Sequence, residues 1–267
     1  MTLEILTAGA ARIGITLGTD TLERLAAYVE LLLRRNQSLN LTRIVEPAEV
    51  ERRHLLDSLT CALPVLEALL SGATWRCLDV GSGGGLPGLP LAIVFPSLRV
   101  TLLESVGKKA TFLRDVVAEL DLENVRVVAA RAEDAARDPG ERDSYELVVA
   151  RALAPLSVAL ELCLPFARPG GLVVLPRGSD LAEQLPDGAY AAGQVAGRLR
   201  APIPLDLPEL PPGRSLVVAE KVGPTPRRFP RRAGMAAKAP LARSQQSGVR
   251  SQASGESRHA PARGHRA

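Results

Sequence analysis

The first seventy residues show the apolar spacing of amphipathic helices. From Leu22 to Leu39, apolar residues recur every three or four positions, which places them on one face of a helix. A second helix is expected to begin at Pro47, whose fixed φ suits a first helical position, and to run through "AEVERRHLLDSL". We therefore predict that residues 1–70 form an N-terminal helical cap that packs on the remainder of the chain.

From Trp75 the pattern changes to short, continuous apolar runs separated by helical stretches. Five of these runs predict β-strands: "WRCLDV", "LRVTLLE", "VRVVAA", "YELVVAR" and "GLVVLP". Strands that are apolar on both faces are typical of a parallel sheet covered by helices on both sides. Two later runs, residues 195–205 and "SLVVAEKV", follow the fifth strand without a clear helix between, and are expected to form an antiparallel hairpin at the sheet edge. Residues 71–223 are thus predicted to be an α/β domain with a doubly wound sheet.

Positive charge is concentrated at the C-terminal end. Residues 224–267 contain ten Arg or Lys and one acid, a net charge of +9, whereas residues 1–223 carry −5. This asymmetry indicates a polyanionic partner, although a solvated extension without a partner has the same composition. The segment from Pro224 onward cannot form a core of its own, and we expect residues 242–267, rich in Ser, Gln, Ala and Arg, to be disordered.

The cysteines and the termini suggest a compartment. Cys61, Cys77 and Cys163 lie far apart with no CxxC pair, so they fit neither a disulfide framework nor a zinc site. The N-terminus lacks the pattern of a signal peptide, and no apolar run approaches the length of a bilayer span. We therefore expect a cytoplasmic protein, without a bound metal ion or a membrane partner, and most simply a monomer.

A glycine-rich turn, "VGSGGGLPG", joins the first predicted strand to the next helix. Gly81, Gly83 and Gly85 follow the strand at GxGxG spacing, and such a turn lets the backbone approach a ligand that a Cβ atom would meet. Asp79, just before the turn, can accept hydrogen bonds from loop amides or from water near the ligand. Glu104 stands at the end of the second strand, where a carboxylate can accept both hydroxyls of a ribose. These residues predict a binding site for an adenosine-type nucleoside.

Two such ligands compete, a nicotinamide dinucleotide and S-adenosylmethionine. The dinucleotide fingerprint GxGxxG would need a glycine at Leu86, and Pro87 stiffens the entry to the helix. The segment "ARPGGLVVL" adds a Pro-Gly-Gly turn before the fifth strand, and the expected edge hairpin follows it. These features resemble class I S-adenosylmethionine-dependent methyltransferases, so we expect a Rossmann-like methyltransferase sheet and S-adenosylmethionine as the cofactor.

Several segments together carry a closer resemblance. "NLTRI", "RHLLDSL", "LDVGSGGGLPGLPLAI" and "RAEDAA" with "VVARALAPL" resemble the bacterial 16S rRNA (guanine-N7) methyltransferase family, also called the glucose-inhibited division protein B family. The resemblance extends through "PRRFPRRAGMAAKAPL" and covers roughly residues 22–241. It implies an enzyme that methylates N7 of a specific guanine in 16S ribosomal RNA or the small ribosomal subunit.

The resemblance also implies roles for individual residues. Gly81 and Leu86 would contact the methyl donor, and Ala132 and Glu133 would flank its adenine. Arg151 directly follows a buried strand, so it projects from the carboxyl edge of the sheet, where ligands bind. There it would hold either the methionine carboxylate of the donor or an RNA phosphate.

The segment "HLLDSL" contributes to the active-site wall in the resembling family. His54, Asp57 and Ser58 lie within five residues on one apparent helix, which fits packing and capping better than a nucleophilic triad. A substrate-facing, catalytic role for His54 or Asp57 is implied, with Arg151 as a third candidate. Guanine N7 offers a lone pair and carries no proton, so the reaction needs alignment more than a general base. Asp57 or a backbone carbonyl would then stabilise the positive charge that passes to the purine.

The ending at residues 224–241 is the predicted RNA contact. Five side chains form a candidate phosphate-binding strip: Arg227, Arg228, Arg231, Arg232 and Lys238. Three other functions remain open from the residues alone. The first is a class I methyltransferase that acts on a small molecule or a protein. The others are an RNA-binding protein with a vestigial nucleotide pocket and an NAD-dependent oxidoreductase.

Overall fold

One mixed sheet of eight strands forms the centre of the computed structural model, which describes residues 2–243. The strand order is β3-β2-β1-β4-β5-β8-β6, with β7 beside β8. The strands are β1 (Arg76–Val80), β2 (Arg99–Leu103), β3 (Val125–Val128), β4 (Tyr145–Val149), β5 (Ala167–Arg177), β6 (Gly197–Leu199), β7 (Ile203–Pro204) and β8 (Ser215–Lys221). Residues 242–267 were expected to be disordered, and of these, residues 244–267 lie outside the described part of the chain.

The first five strands are parallel and the last three are antiparallel to their neighbours. β1 pairs with β2 on one side and with β4 on the other, so the strand order reverses there and opens a crevice at the carboxyl ends of β1 and β4. The five predicted strands and the α/β class are confirmed. The expected antiparallel hairpin at the sheet edge is confirmed, because β6 and β7 pair with β8 and β6 is the outermost strand. The expectation that no helix separates it from β5 is wrong, because Leu181–Gln194 is helical.

Eleven α-helices are found within residues 2–243. They are α1 (Glu4–Arg12), α2 (Thr19–Leu39), α3 (Pro47–Val50), α4 (Asp57–Leu59), α5 (Leu66–Leu70), α6 (Gly88–Val94), α7 (Gly107–Glu119), α8 (Ala132–Ala135), α9 (Leu156–Cys163), α10 (Leu181–Gln194) and α11 (Met235–Lys238). A π-helical turn, Glu51–Leu56, and a 3-10 helix, Thr60–Val65, connect α3, α4 and α5. Within the described range, no helix combines the length and apolar character that a membrane crossing requires.

Alternating strand residues separate two layers of core on opposite faces of the sheet. In β4, Leu147 and Val149 join the apolar layer that also contains residues of α1 and α2. Val148 joins the opposite layer, which contains residues of α9 and α10. Both faces of the sheet are therefore buried, as the continuous apolar runs predict.

The N-terminal helices are joined to the glycine-rich turn by polar contacts. The fully buried Tyr28 of α2 donates a hydrogen bond from its hydroxyl to Gly84 O at 2.7 Å. The buried Glu51 accepts a hydrogen bond from Leu6 N in α1 at 3.0 Å, which fixes the π-helical turn against α1. Residues of the predicted cap therefore help to set the shape of the glycine-rich turn that follows β1.

Candidate functional site

The glycine-rich turn leaves no anion site at the start of α6. Asp79 accepts a hydrogen bond from Gly88 N at 3.0 Å, and Gly85 O accepts one from Leu89 N at 2.7 Å. The third residue of α6 is Pro90, which has no N–H to donate. A pyrophosphate needs free amides at a helix N-terminus and would here meet the Asp79 carboxylate. This arrangement disfavours the dinucleotide that the sequence alone leaves open.

The glycines of the turn serve two different purposes. Gly85 has a φ of +94°, and a Cβ atom there would collide with the Leu89 side chain, so packing within the protein requires this glycine. Gly83 has a φ of +56°, and the atom nearest to an added Cβ would be Gly81 O at 3.8 Å. Of these two positions, Gly83 is the one whose missing side chain leaves room for a ligand.

Glu104 bridges the turn and the loop after β2. Its two carboxylate oxygens accept hydrogen bonds from Gly83 N at 2.8 Å and from Val106 N at 2.7 Å. The side chain is buried, and each oxygen keeps a second lone pair that a ribose hydroxyl can use. Glu104 thus also holds Gly83 in place, a contact that its position at the end of a strand does not reveal.

A cavity of about 700 Å³ opens at the carboxyl edge of the sheet. The structure brings six of the predicted site residues to its wall: His54, Asp57, Gly81, Gly83, Leu86 and Arg151. The remaining predicted donor residues do not line it: Asp79, Gly85, Glu104, Ala132 and Glu133. Asp79 is buried within β1 and Gly85 is buried within the turn, while Glu104, Ala132 and Glu133 follow β2 and β3 at the same sheet edge.

Two arginines from distant parts of the chain converge on Asp57. The buried Asp57 carboxylate accepts hydrogen bonds from Arg214, one of them from Nε at 3.0 Å. It also lies 3.6 Å from the Arg151 guanidinium. Its negative charge is therefore already compensated, which argues against the expected role in stabilising a positively charged purine.

Arg151 connects Asp57 to His54. The guanidinium donates to Arg53 O at 2.6 Å and lies 3.3 Å from His54 Nδ1. Nδ1 also lies 3.1 Å from Arg53 O, and Nε2 lies 2.7 Å from Thr42 Oγ1, so both ring nitrogens have polar partners. Burial, and then the charge of Arg151, lower the pKa of His54 to about 4. The ring is therefore neutral at physiological pH.

Basic side chains outnumber acids around the cavity. Six basic residues line it: Arg43, Arg53, Lys109, Arg151, Arg177 and Arg214. The carboxylates that line it are Asp57 and Asp180. The sequence analysis assigned no site role to Arg177 or Arg214, although Arg177 ends β5 and Arg214 precedes β8 at the same sheet edge. Their positions at strand ends are the signal that would have found them.

The C-terminal segment lies against the predicted adenine wall. Glu133 accepts a hydrogen bond from Gly234 N at 2.8 Å. Arg142 donates to Phe229 O at 2.9 Å and to Thr225 O at 2.8 Å, which holds this segment on the core. Phe229 is buried in the core layer beside α9, so the segment after Pro224 adds to the core of the domain.

The five residues of the predicted phosphate-binding strip are not equivalent. Arg227, Arg228, Arg232 and Lys238 are exposed. Arg231 instead forms a two-point ion pair with Glu161, at 2.7 Å from Nε and 2.6 Å from Nη2. The Glu161 side chain is only 1% exposed, so Arg231 neutralises a buried charge.

Comparisons with known proteins identify the family to which this chain is similar. A family model described as GidB, rRNA small subunit methyltransferase G, matches residues 21–194. Ribosomal RNA small subunit methyltransferase G of Roseiflexus castenholzii is 44% identical over 230 residues, which cover 85% of this chain and 95% of the relative. The protein of the same name from Dehalococcoides mccartyi is 40% identical over 233 residues, covering 87% and 97%. Among solved structures, the CMeT domain of the citrinin polyketide synthase has a TM-score of 0.50 at 14% identity over 66% of this chain and 56% of that chain, a similarity of fold.

Proposed function

The chain belongs to the rRNA small subunit methyltransferase G family, and on that premise we propose that it transfers a methyl group from S-adenosylmethionine to N7 of a specific guanine in 16S ribosomal RNA. The observation that carries this proposal is the cavity at the carboxyl edge of the sheet. There the glycine-rich turn meets His54 and a surplus of basic side chains. A nucleoside donor and a polyanionic acceptor can therefore approach the same space.

The donor fits the wall formed by the turn. Gly81, Gly83 and Leu86 line the cavity, and the open space at Gly83 accommodates a ligand against the backbone. Glu104 is the proposed ribose contact, and Ala132 with Glu133 is the proposed adenine wall, one strand further along the same edge. When bound, S-adenosylmethionine supplies a methyl group on a sulfonium centre, which needs no further activation.

The opposite wall is assigned to the acceptor base. Guanine N7 carries no proton, so the site needs no general base, which agrees with a neutral His54 whose two ring nitrogens already have protein partners. His54 is therefore assigned to positioning the base, and Arg151 to holding the methionine carboxylate of the donor or an RNA phosphate. Asp57 is assigned to orienting Arg151 and Arg214. Alignment of reactants alone contributes about 7–11 kcal/mol in favourable cases.

The proposed partner is 16S rRNA, free or within the small ribosomal subunit. The exposed basic residues of the C-terminal segment, Arg227, Arg228, Arg232 and Lys238, supply phosphate contacts outside the cavity. We place the protein in the cytoplasm, which suits its three buried free cysteines, without a membrane partner. We propose that it acts as a monomer, because the exposed large apolar side chains within residues 2–243 are far apart in sequence.

The test offers the enzyme three classes of acceptor. The purified chain is incubated with methyl-labelled S-adenosylmethionine and, separately, unmethylated small subunits, a protein extract and a small-molecule extract. The proposal expects label in 16S rRNA alone. Label in the protein or small-molecule fraction, with none in RNA, would support the alternative class I methyltransferase functions.

A further inference from the structure

Arg177 lines the cavity, and within residues 2–243 it forms no ion pair with an acid. It ends β5, and its Nη1 donates to Ala154 O at 2.7 Å. Its Nε is buried and has no hydrogen-bond partner within residues 2–243. An unsatisfied donor on a partly buried cation is costly, so the cavity-lining guanidinium gains from an acceptor that enters from outside the protein.

The neighbours of Arg177 increase the need for a negative charge. β5 pairs with β8 so that Arg177 faces Ser215, which places it beside Arg214. Arg214 is already bound to Asp57, and Asp57 also faces Arg151. Asp180, the other lining acid, accepts a hydrogen bond from Gln184, and no ion pair joins it to Arg177 in the described chain. The cluster of three arginines therefore keeps a positive surplus.

We propose that Arg177 binds a backbone phosphate of the RNA beside the guanosine that is methylated. This role rests on the proposed function and extends it to a contact at the cavity itself, distinct from the exposed C-terminal strip. The guanidinium presents several N–H donors in a plane, which suits two phosphate oxygens.

A phosphate suits this position better than the base does. Arginine commonly binds O6 and N7 of guanine together, but N7 must stay free to accept the methyl group. The purine also gains positive charge during the transfer, and a guanidinium against its edge would oppose that change. A phosphate keeps its negative charge throughout the reaction and compensates the arginine cluster.

The experiment compares the full-length wild type with Arg177→Gln, Arg177→Lys and a control, Arg168→Gln. Arg168 lies at the opposite end of the same strand in an exposed ion pair with Glu146. Affinity for unmethylated 16S rRNA is measured at several salt concentrations, and affinity for S-adenosylhomocysteine is measured in parallel.

We expect Arg177→Gln to weaken RNA binding about tenfold and to reduce the slope of log affinity against log salt by about one unit. Its affinity for S-adenosylhomocysteine should be unchanged, which also shows that the variant is folded. Arg177→Lys should keep the slope, because it keeps the charge, and Arg168→Gln should match the wild type.

Three results would overturn the role of Arg177. These are an unchanged salt slope in Arg177→Gln, an equal loss in Arg168→Gln, or a parallel loss of S-adenosylhomocysteine binding. A wild-type enzyme that fails to methylate RNA contradicts the proposed function itself. An active wild type with an Arg177→Gln variant of unchanged salt dependence contradicts only the assignment of Arg177.

Discussion

His54 and Asp79 are buried residues whose pKa values shift in opposite senses. Burial and the neighbouring Arg151 lower the pKa of His54 from 6.5 to about 4. Burial raises the pKa of Asp79 from 3.8 to about 7, although hydrogen bonds from Gly88 N–H and Ser82 partly oppose this. The two side chains therefore make stability depend on pH in opposite directions, and each can be removed separately.

We predict that His54→Gln flattens the loss of stability at mildly acidic pH. Between pH 6.5 and 4 the unfolded chain binds a proton at His54 that the folded chain does not, so the free energy of unfolding falls as pH decreases. Above pH 6.5 His54 is neutral in both the folded and the unfolded chain, so it no longer contributes to the pH dependence of stability. Urea unfolding at pH 5 and pH 7.5 should show that the variant loses about 2 kcal/mol less than the wild type between these values. Parallel losses would contradict a neutral buried ring.

Asp79→Asn should have the opposite effect. Between pH 3.8 and 7 the unfolded chain releases a proton that folded Asp79 retains, so the wild type loses stability as pH rises through this window. The asparagine does not titrate. Relative to the wild type, the variant should gain about 2–3 kcal/mol between pH 5 and pH 8 in urea unfolding. A difference that is independent of pH would show that Asp79 ionises at its ordinary pKa.

Among the secondary elements, the strands were predictable and two helical regions were not. Each of the first five strands is a continuous apolar run, a local signal that the buried sheet requires. Helix α10 contains Pro186 and Gly188, residues of low helix propensity, so its sequence alone does not predict a helix. The predicted helix from Pro47 is interrupted by the π-helical turn Glu51–Leu56, where contacts with α1 override local preference.

The two glycines of α10 offer a matched test of whether packing against neighbouring elements outweighs helix propensity in this helix. A Cβ at Gly188 would lie 2.5 Å from Leu156 Cδ2, whereas a Cβ at Gly193 would meet nothing within 4 Å. We predict that Gly188→Ala destabilises the protein by about 1–3 kcal/mol through overpacking. Gly193→Ala should instead stabilise it by up to about 1 kcal/mol through helix propensity. Denaturant unfolding of both variants checks this, and equal effects would contradict the packing of α10 on α9.

In the whole molecule, the site depends on contacts between distant parts of the sequence. Gly81 and Arg151 were predictable because each closely follows a strand, a local signal, whereas the role of Leu86 was implied by the family resemblance. The pair of Asp57 with Arg214 joins residues 157 positions apart, and that of His54 with Arg151 spans 97. A single sequence does not reveal such pairs. The predicted division at residues 70 and 71 and the roles of individual site residues stay predictions.

The C-terminal segment combines anchoring residues with exposed ones, and neighbouring arginines distinguish the two. Arg231→Gln should destabilise the protein by about 3–5 kcal/mol, because it leaves the buried Glu161 charge without its partner. Arg232→Gln should leave the melting temperature unchanged, since Arg232 is exposed, and should weaken RNA binding in a salt-dependent manner. Thermal unfolding and RNA titration of both variants test this. Equal melting temperatures would show that the ion pair with Glu161 contributes nothing.

The central claim is that one cavity aligns S-adenosylmethionine with N7 of a guanine in small-subunit RNA. The most direct measurement transfers labelled methyl to unmethylated 16S rRNA, digests the product to nucleosides and maps the labelled position. The account predicts 7-methylguanosine at a single site. Label on another base or atom, or an unlabelled RNA despite demonstrated binding of S-adenosylmethionine, would contradict it.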